Sequence, residues 1–297
     1  MCPSNYNEQK MNTKQITIIG LGQMGTKLAE LLVAKGYTVS VWNRTRAKGD
    51  SIAGVKVFED VEEVVRQSPL IVICVLDYAA VDRVLDHISD KSILGGKTLI
   101  NFTTADPQEA ETLETTLAHI NAGYINGAIQ VGPDQMGLPE TTIIVSGNQD
   151  HFQRSWDALA VFGGNIKYLG NRAALASAMD LATLTWLYGS YTGLIHGIVL
   201  AQKTGLPLDA FSEILGEITP GFTEFFKHQI GVVEKGDFRV SQSPLSISIA
   251  ATQRIHHAFR KAGAQEDFVK AISDLLQKAE SLGLADQEVA ALVKVVG

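Results

Sequence analysis

The sequence has little of what marks secreted, metal-binding or nucleic-acid-binding proteins. It contains only two cysteines, Cys2 and Cys74, which excludes a disulfide framework and leaves no cysteine spacing for a metal. Positive charge is not in excess: the net charge of −7 argues against a nucleic-acid partner. The opening MCPSNYNEQKMNTK lacks the apolar core of a signal peptide, so we expect residues 1–14 to form a flexible leader.

An uninterrupted apolar run long enough to cross a bilayer is also missing. The best candidate, residues 173–201, is broken by Asp180, by His196 and by several Ser, Thr and Tyr residues. Charged side chains inside a membrane are costly, and the chain contains no second run of this kind. The sequence therefore predicts a soluble, cytoplasmic protein with no membrane partner.

Apolar β-type runs alternate with helical patterns over the first 170 residues. This alternation predicts an α/β domain of the Rossmann type, whose mostly parallel sheet is covered on both faces. The predicted strands are 15–20, 38–43, 55–59, 70–76, 98–104, 124–131, 141–147 and 165–170, and the predicted helices are 24–36, 60–67, 78–90, 107–121 and 150–163.

Helical periodicity alone continues after residue 170. We expect helices at 173–203, 207–217, 221–236, 245–262, 265–282 and 285–295, with turns at Gly-Leu-Pro and Thr-Pro-Gly. The predicted domains are therefore 15–170 for the cofactor, 171–203 as a long interdomain helix and 204–297 as an all-α domain for dimerisation and substrate. The long helix is apolar all round and needs partners on every side, which predicts an intertwined homodimer.

The motif Gly20-Leu21-Gly22-Gln23-Met24-Gly25 follows the first predicted strand and opens a helix. The first glycine allows the tight turn, the second lets the backbone approach a pyrophosphate, and the third permits close helix–strand packing. The unpaired N–H groups of the helix then hold the pyrophosphate. A strand before the motif and a helix after it are the context this fingerprint requires, so we predict that it binds a dinucleotide.

The end of the second predicted strand indicates which dinucleotide is bound. It reads Asn43-Arg44-Thr45-Arg-Ala-Lys48, without the acid that grips the 2′-hydroxyl of NAD. Arg44, Thr45 and a nearby cation instead suit a 2′-phosphate, so NADPH is the predicted cofactor. Leu76, Thr103 and Thr104 end the fourth and fifth predicted strands, at the edge where α/β proteins bind ligands.

Several segments together resemble a known superfamily. GLGQMG (20–25), VWNRT (41–45), INFTTADP (100–107), YINGAIQVGPDQMGLPE (124–140) and MDLATLTWLYG (179–189) are similar to the β-hydroxyacid dehydrogenases, which have a 6-phosphogluconate dehydrogenase-like fold. Within that superfamily, the chain most resembles the imine reductases and reductive aminases. The resemblance runs from about Ile16 to the C-terminus.

The departures from the hydroxyacid enzymes imply a different reaction. Those enzymes carry a catalytic lysine where this chain has Asp180, and an asparagine where it has Thr183. Their Asp-Ser-Ser-Thr-like loop is replaced by Asn101-Phe-Thr-Thr104, and a Ser-Gly-Gly motif by Gln130-Val-Gly-Pro-Asp. The resemblance therefore implies hydride transfer from NADPH to a cyclic imine or iminium, because a carboxylate attracts an iminium that a lysine would repel.

The resemblance also implies Tyr188 as the catalytic partner of Asp180. Helical geometry alone equally favours Tyr191, which lies only ~20° around the helix from Asp180 but farther along it. Departures near Gly221 and Ser248 make simple imine reduction a safer expectation than coupling of an amine to a carbonyl. The alternatives are a hydroxyacid or carbonyl dehydrogenase of the same superfamily and a non-catalytic NADPH sensor.

Overall fold

The computed structural model describes residues 14–297, so the predicted leader lies outside the described residues except for Lys14. Eight strands occur in this range: β1 Gln15–Ile19, β2 Thr38–Trp42, β3 Val55–Val57, β4 Leu70–Ile73, β5 Thr98–Asn101, β6 Gly123–Ile129, β7 Thr142–Gly147 and β8 Asn165–Tyr168. The helices are α1 Gln23–Ala34, α2 Ala47–Asp50, α3 Val61–Val65, α4 Tyr78–Asp86, α5 Pro107–Ala118, α6 Gln149–Phe162, α7 Ala174–Thr204, α8 Leu208–Lys235, α9 Leu245–Lys261, α10 Asp267–Ser281 and α11 Val293–Val296.

The strands form one sheet in the order β3-β2-β1-β4-β5-β6-β7-β8. Strands β1 to β6 are parallel, whereas β7 pairs antiparallel with β6 and parallel with β8. Strands β2 and β3 are added on one side of β1, and the strands from β4 onward on the other side. Doubly wound α/β proteins open a crevice for ligands at such a reversal of strand order, here between β1 and β4. The predicted Rossmann-type architecture is confirmed.

The two faces of the sheet are covered by separate apolar clusters. One contains Ile71, Ile73 and Leu99 with the buried sides of α3, α4 and α5. The other contains Ile16, Ile18 and Val72 with the buried sides of α1 and α6. Successive residues of a strand point to opposite faces, which explains why the inner strands read as continuous apolar runs.

The contacts divide the chain into two compact units, one through Trp186 and one from Leu187 onward. In the second unit, α9 and α10 pack around a small core of Leu245, Ile249, Leu276 and Ala279. The helical character predicted for this region is confirmed, but two of its boundaries are not. None of the helices in residues 14–297 combines the length and apolar content needed to cross a membrane.

The turn predicted at Thr-Pro-Gly, residues 219–221, is wrong, because α8 continues through Pro220. Proline removes one backbone hydrogen bond, but its fixed φ is itself helical. Apolar side chains also continue at four-residue spacing across this point, at Ile214, Ile218, Phe222 and Phe226. The same helical face therefore extends on both sides of the proline.

The helix predicted at 285–295 is also not continuous. Residues 285–288 pair with the chain near Pro244, through the Leu245 N–H to the Gln287 carbonyl and the Ser246 N–H to the Ala285 carbonyl. A short 3₁₀ turn, Val289–Leu292, and α11 follow. The carboxylate of Glu288 explains the break, because it accepts the backbone N–H groups of residues 241–243.

Candidate active site

The glycine-rich turn is shaped by two close backbone contacts and one open face. Gly20 has a φ of +96°, and a Cβ there would lie 2.2 Å from the Cys74 carbonyl oxygen. A Cβ on Gly25 would lie 2.0 Å from the Gly20 carbonyl oxygen, whereas one on Gly22 would meet nothing within 4 Å. The first and third glycines are thus required by packing, and the second leaves backbone open to a ligand.

The start of α1 suits an anion. Gly22 caps this helix in an extended conformation without a side-chain hydrogen bond, and no acidic residue lies in the first turn. The unpaired N–H groups and the helix dipole both favour negative charge at this position. A pyrophosphate therefore fits the arrangement.

Asn43 has a structural contact that the sequence motif did not reveal. Its Oδ1 accepts the N–H of Leu21 at 3.0 Å, and its Nδ2 donates to the carbonyl of Thr45 at 2.9 Å. The side chain therefore ties the glycine-rich turn to the loop after β2. Both segments are held together before any cofactor binds.

An open cleft of about 720 Å³ lies beside the glycine-rich turn. Its lining consists of Leu21, Gly22, Gln23, Thr26, Lys27, Glu30, Lys48, Ser51, Pro133 and Asp134. Leu21, Gly22, Gln23 and Lys48 are among the predicted cofactor residues, and the others were missed. Thr26, Lys27 and Glu30 follow Gln23 by three, four and seven residues in α1, and this helical spacing is the signal that could have placed them beside the motif.

The basic loop after β2 contains one cation that is already paired and two that are not. Arg46 forms ion pairs with Glu59 and, at 3.5 Å, with Asp50. Within the described residues, Arg44 and Lys48 are exposed and form no salt bridge. These two side chains are therefore available to a 2′-phosphate, and the end of β2 carries no acid that would repel it.

The residues predicted at the ends of β4 and β5 differ in accessibility. Leu76 is 88% exposed, and Thr104 is also exposed. Thr103 is buried, its Oγ1 accepting the Val75 N–H at 3.2 Å and its own N–H donating to Asn101 at 3.0 Å. Thr103 therefore joins the ends of β4 and β5, while Leu76 and Thr104 present their side chains outward.

Two buried tyrosines form a hydrogen-bond network with Asn101, the last residue of β5. The hydroxyls of Tyr78 and Tyr124 lie 2.5 Å apart, and Asn101 donates to Tyr124 at 3.3 Å. Burial raises the pKa of Tyr78 to about 12 and that of Tyr124 well above its usual value. Both phenols therefore stay neutral, and this network holds the Asn101 side chain that accepts the Thr103 N–H.

The first turns of α7 are fixed to the sheet by buried polar groups. Ser146 donates to the Ala173 carbonyl and accepts the Ala176 N–H, each at 2.8 Å. The amide of Asn126 donates to the same carbonyl at 2.9 Å and to the Ser177 hydroxyl at 2.6 Å. These bonds determine where the next turn of the helix, which carries Asp180, must lie.

Asp180 is buried, with only 6% of its surface exposed. Its Oδ1 accepts a hydrogen bond from Nε2 of Gln130 at 2.8 Å, and it forms no salt bridge with a described residue. Burial raises the pKa of this carboxyl, and the Gln130 hydrogen bond opposes the increase. A solvent-facing aspartate on an ordinary helix does not have these properties.

The two carboxyl oxygens of Asp180 differ in their hydrogen bonding. Oδ2 accepts no hydrogen bond from the described residues. Every fully buried side-chain nitrogen or oxygen within residues 14–297 has a hydrogen-bond partner, so Oδ2 is not fully enclosed. The carboxyl therefore bonds to the protein through one oxygen and leaves the other without a partner among the described residues.

The aromatic residues farther along α7 have different surroundings. Tyr188 and Tyr191 are 64% and 57% exposed. His196 is half-buried, with its ring 4.6 Å from that of Phe268 and its Nδ1 2.8 Å from the Thr192 carbonyl. His196 is therefore part of the packing of the second unit, while both tyrosines present their rings outward.

Comparison with known proteins is consistent with this geometry over the whole described chain. Residues 15–170 match the NAD-binding domain of 6-phosphogluconate dehydrogenase, and residues 173–297 match the C-terminal domain of NADPH-dependent reductive aminase-like proteins. An NADPH-dependent reductive aminase from Aspergillus oryzae is 30% identical, over 95% of this chain and 97% of that protein. The chain belongs to the reductive aminase family.

Two solved structures relate the fold to this family. An imine reductase from Myxococcus stipitatus, in complex with NADP⁺, is 26% identical and superposes with a TM-score of 0.90, covering 95% of this chain and all of that one. A reductive aminase from Aspergillus terreus, in complex with NADPH4, cyclohexanone and allyl amine, is 30% identical with a TM-score of 0.89, covering 96% of this chain and all of that one. The reductive aminase assignment thus rests on both domains.

Proposed function

We propose that this chain is an NADPH-dependent imine reductase, which converts a cyclic imine or iminium into an amine and has some capacity for reductive amination. Buried Asp180, bonded to a neutral amide instead of a cation, is the observation that carries the proposal. A carboxyl in such surroundings keeps its proton to a higher pH than an ordinary aspartate. It can therefore act as an acid toward a basic nitrogen.

NADPH, when bound, supplies the hydride that reaches the imine carbon. Asp180 donates its proton to the imine nitrogen, and the carboxylate that remains attracts the positive iminium. Proton and hydride together convert the C=N bond into an amine, so the reaction balances without another reactant. Tyr188 is proposed as the partner of Asp180 at the substrate, with Tyr191 as the second choice.

The proposed cofactor site lies in the domain of residues 15–170. The backbone of Gly20–Gly25 would hold the pyrophosphate, because Gly22 presents its open face beside the start of α1. Arg44, Thr45 and Lys48 would bind the 2′-phosphate. The proposed contacts near the nicotinamide are Leu76 and Thr104, and Thr103 would fix the loop that presents Thr104.

We also propose that the chain forms a homodimer through its helical segments 171–203 and 204–297. Exposed apolar side chains recur along α8 at four-residue spacing and form a stripe that winds gradually around the helix: Ile214, Ile218, Phe222, Phe226 and Ile230. These residues are between 43% and 69% exposed. An apolar face of this length needs covering, and a second copy of the chain supplies an equivalent face.

A single assay distinguishes the proposed activity from its alternatives. NADPH absorbance is followed with a small cyclic imine, and NADP⁺ reduction with 3-hydroxyisobutyrate. Turnover of the imine supports the proposal, oxidation of the hydroxyacid supports a dehydrogenase, and tight NADPH binding without either reaction supports a sensor. Consumption of NADPH with a ketone and an amine together tests reductive amination.

The role of Asp180 is tested with Asp180→Asn, which keeps the shape and an acceptor for Gln130 but cannot donate a carboxyl proton. We expect kcat for the imine to fall by ~10²–10⁴. Asp150→Asn, at an exposed position in the first turn of α6, is the matched control and should leave kcat unchanged. A loss below about threefold in Asp180→Asn would contradict the proposed acid.

A further inference from the structure

Gln130 lies at a fixed point beside the carboxyl of Asp180. It directly follows β6, and its backbone N–H donates to the Thr142 carbonyl at 3.1 Å, which continues the pairing of the sheet. Its side chain is half-buried and extends to Asp180 on α7, fifty residues away. The amide is therefore carried by the sheet and not by a free loop.

Thr183 determines which end of that amide faces Asp180. Its hydroxyl lies 2.9 Å from Oε1 of Gln130 and also 2.9 Å from the backbone carbonyl oxygen of Asp180, so these two acceptors share its single proton. An amide has one accepting end and one donating end, so a donor at Oε1 directs Nε2 toward the carboxyl. Asp180 and Thr183 are three residues apart and share one face of α7, which lets a single amide bridge them.

The orientation of the amide determines which carboxyl oxygen can react. With Nε2 donating to Oδ1, that oxygen is engaged, and a proton on the carboxyl resides on Oδ2, the oxygen without a partner among the described residues. A reversed amide would place Oε1 against Oδ1. It would then either repel the carboxylate or hold the proton on the oxygen that faces the protein.

We infer that Gln130 and Thr183 form a positioning pair that keeps Oδ2 of Asp180 as the proton-donating oxygen. The inference rests on the proposed function, since it gives these two residues a role only if Asp180 is the acid. Gln130 does not touch the reacting atoms and acts through Asp180. Thr183 acts through Gln130.

The same contact influences when the acid is protonated. Burial raises the pKa of Asp180, and the Gln130 hydrogen bond, which favours the ionised form, lowers it. No charged group of the described residues contributes to this shift in pKa. Removing the amide should therefore raise the pKa of Asp180 and move the alkaline limb of the kcat profile to higher pH.

Two matched pairs of variants test the inference. Gln130→Met keeps the length of the side chain and removes the hydrogen bond, whereas Gln130→Glu keeps the shape but places an acceptor against Oδ1. We expect both to lower kcat by ~10-fold or more, because small misplacements of a catalytic group are costly, while the KM for NADPH changes less than twofold. Thr183→Val should lower kcat in the same way, and Thr183→Ser, which retains the hydroxyl, should restore it.

A second readout does not depend on turnover. The carboxyl carbon of Asp180 is followed by ¹³C NMR in enzyme labelled at aspartate, with Asp180→Asn identifying the resonance. The titration should move to higher pH in Gln130→Met and stay near that of the wild type in Thr183→Ser. An unchanged titration together with unchanged kcat in Gln130→Met would overturn the inference.

Failure of the inference can be separated from failure of the proposed function. If Asp180→Asn abolishes imine turnover and Gln130→Met is indistinguishable from the wild type, Asp180 is the acid but the positioning pair is wrong. If Asp180→Asn retains activity, the proposed acid itself is wrong. Equal losses in Thr183→Val and Thr183→Ser would also refute the role of the Thr183 hydroxyl.

Discussion

Replacing Arg44 with alanine should weaken the preference for NADPH over NADH. Arg44 is exposed at the end of β2 and makes no ion pair with a described residue, so its guanidinium is available to a 2′-phosphate. A hydrogen bond to a charged group contributes ~1.5–3 kcal/mol, and each ~1.4 kcal/mol is a factor of ten. Because solvent screens an exposed pair, we expect the lower end, a rise of ~10-fold in the KM for NADPH.

Arg46→Ala provides the matched control. Arg46 lies two positions away in the same loop but is already paired with Glu59 and Asp50. Its removal should change the KM for NADPH by less than about threefold, because no unpaired charge is lost. Steady-state kinetics with NADPH and NADH, at low and high salt, measure both effects. Equal effects of the two variants, or an unchanged NADPH preference in Arg44→Ala, would refute the assignment of Arg44.

Three further predictions concern the turn, the second unit and the dimer. Gly22→Ala should keep the melting temperature but raise the Kd for NADPH, whereas Gly25→Ala should lower the melting temperature, because a Cβ would collide with backbone at Gly25 but would meet nothing at Gly22. Glu288 should stabilise the fold above pH ~4.5 and lose that contribution as the pH falls toward 2, because its folded pKa is about 2 against an ordinary value of ~4.3. In thermal melts, Glu288→Gln should flatten this loss of stability at acid pH. Glu280→Gln, at an exposed site, is the control and should not. Phe226→Glu should convert the proposed dimer into monomers in light scattering, and an unchanged mass would contradict the α8 interface.

The hydrogen bonds of Glu288 explain why its carboxyl stays ionised although it is buried. The carboxylate is fully buried, which by itself disfavours the charge, but it accepts the N–H groups of Ser241, Gln242 and Ser243 and the amide of Gln229. These hydrogen bonds outweigh burial and lower the pKa of Glu288 to about 2. In Glu288→Gln, at least one of the donors would face an NH₂ group, at a cost of ~1–3 kcal/mol for each donor left unpaired.

Much of the first unit could be predicted from the sequence, because its signals are local. Runs such as Leu70–Ile73 are apolar at every position, which is typical of a strand covered on both faces, and the glycine motif comes with its own strand and helix. The short helix α2 was missed, since four residues are too few to show a helical period. Thr-Pro-Gly predicts a turn by its composition, but the apolar period continues past Pro220 and α8 continues with it.

The contacts that define the candidate site were harder to predict, because they join distant parts of the chain. Asp180 stood out as a charge in an apolar helix, but nothing local connects it to Gln130, fifty residues earlier. Thr103 likewise bonds to Val75, which lies 28 residues earlier, in the loop after β4. Long-range pairing of polar side chains leaves no periodic pattern in the sequence, so only the fold reveals it.

The charge of the proposed acid itself also limits the class of substrate. A buried aspartate paired with a cation would have a lowered pKa and would not hold a proton near neutral pH. Asp180 is bonded to a neutral amide instead, and burial raises its pKa. Once ionised, the same carboxyl would repel the carboxylate of a hydroxyacid but attract an iminium. Replacement of a lysine by Asp180 therefore changes both the proton that is available and the substrate charge that is tolerated, and both changes favour reduction of C=N.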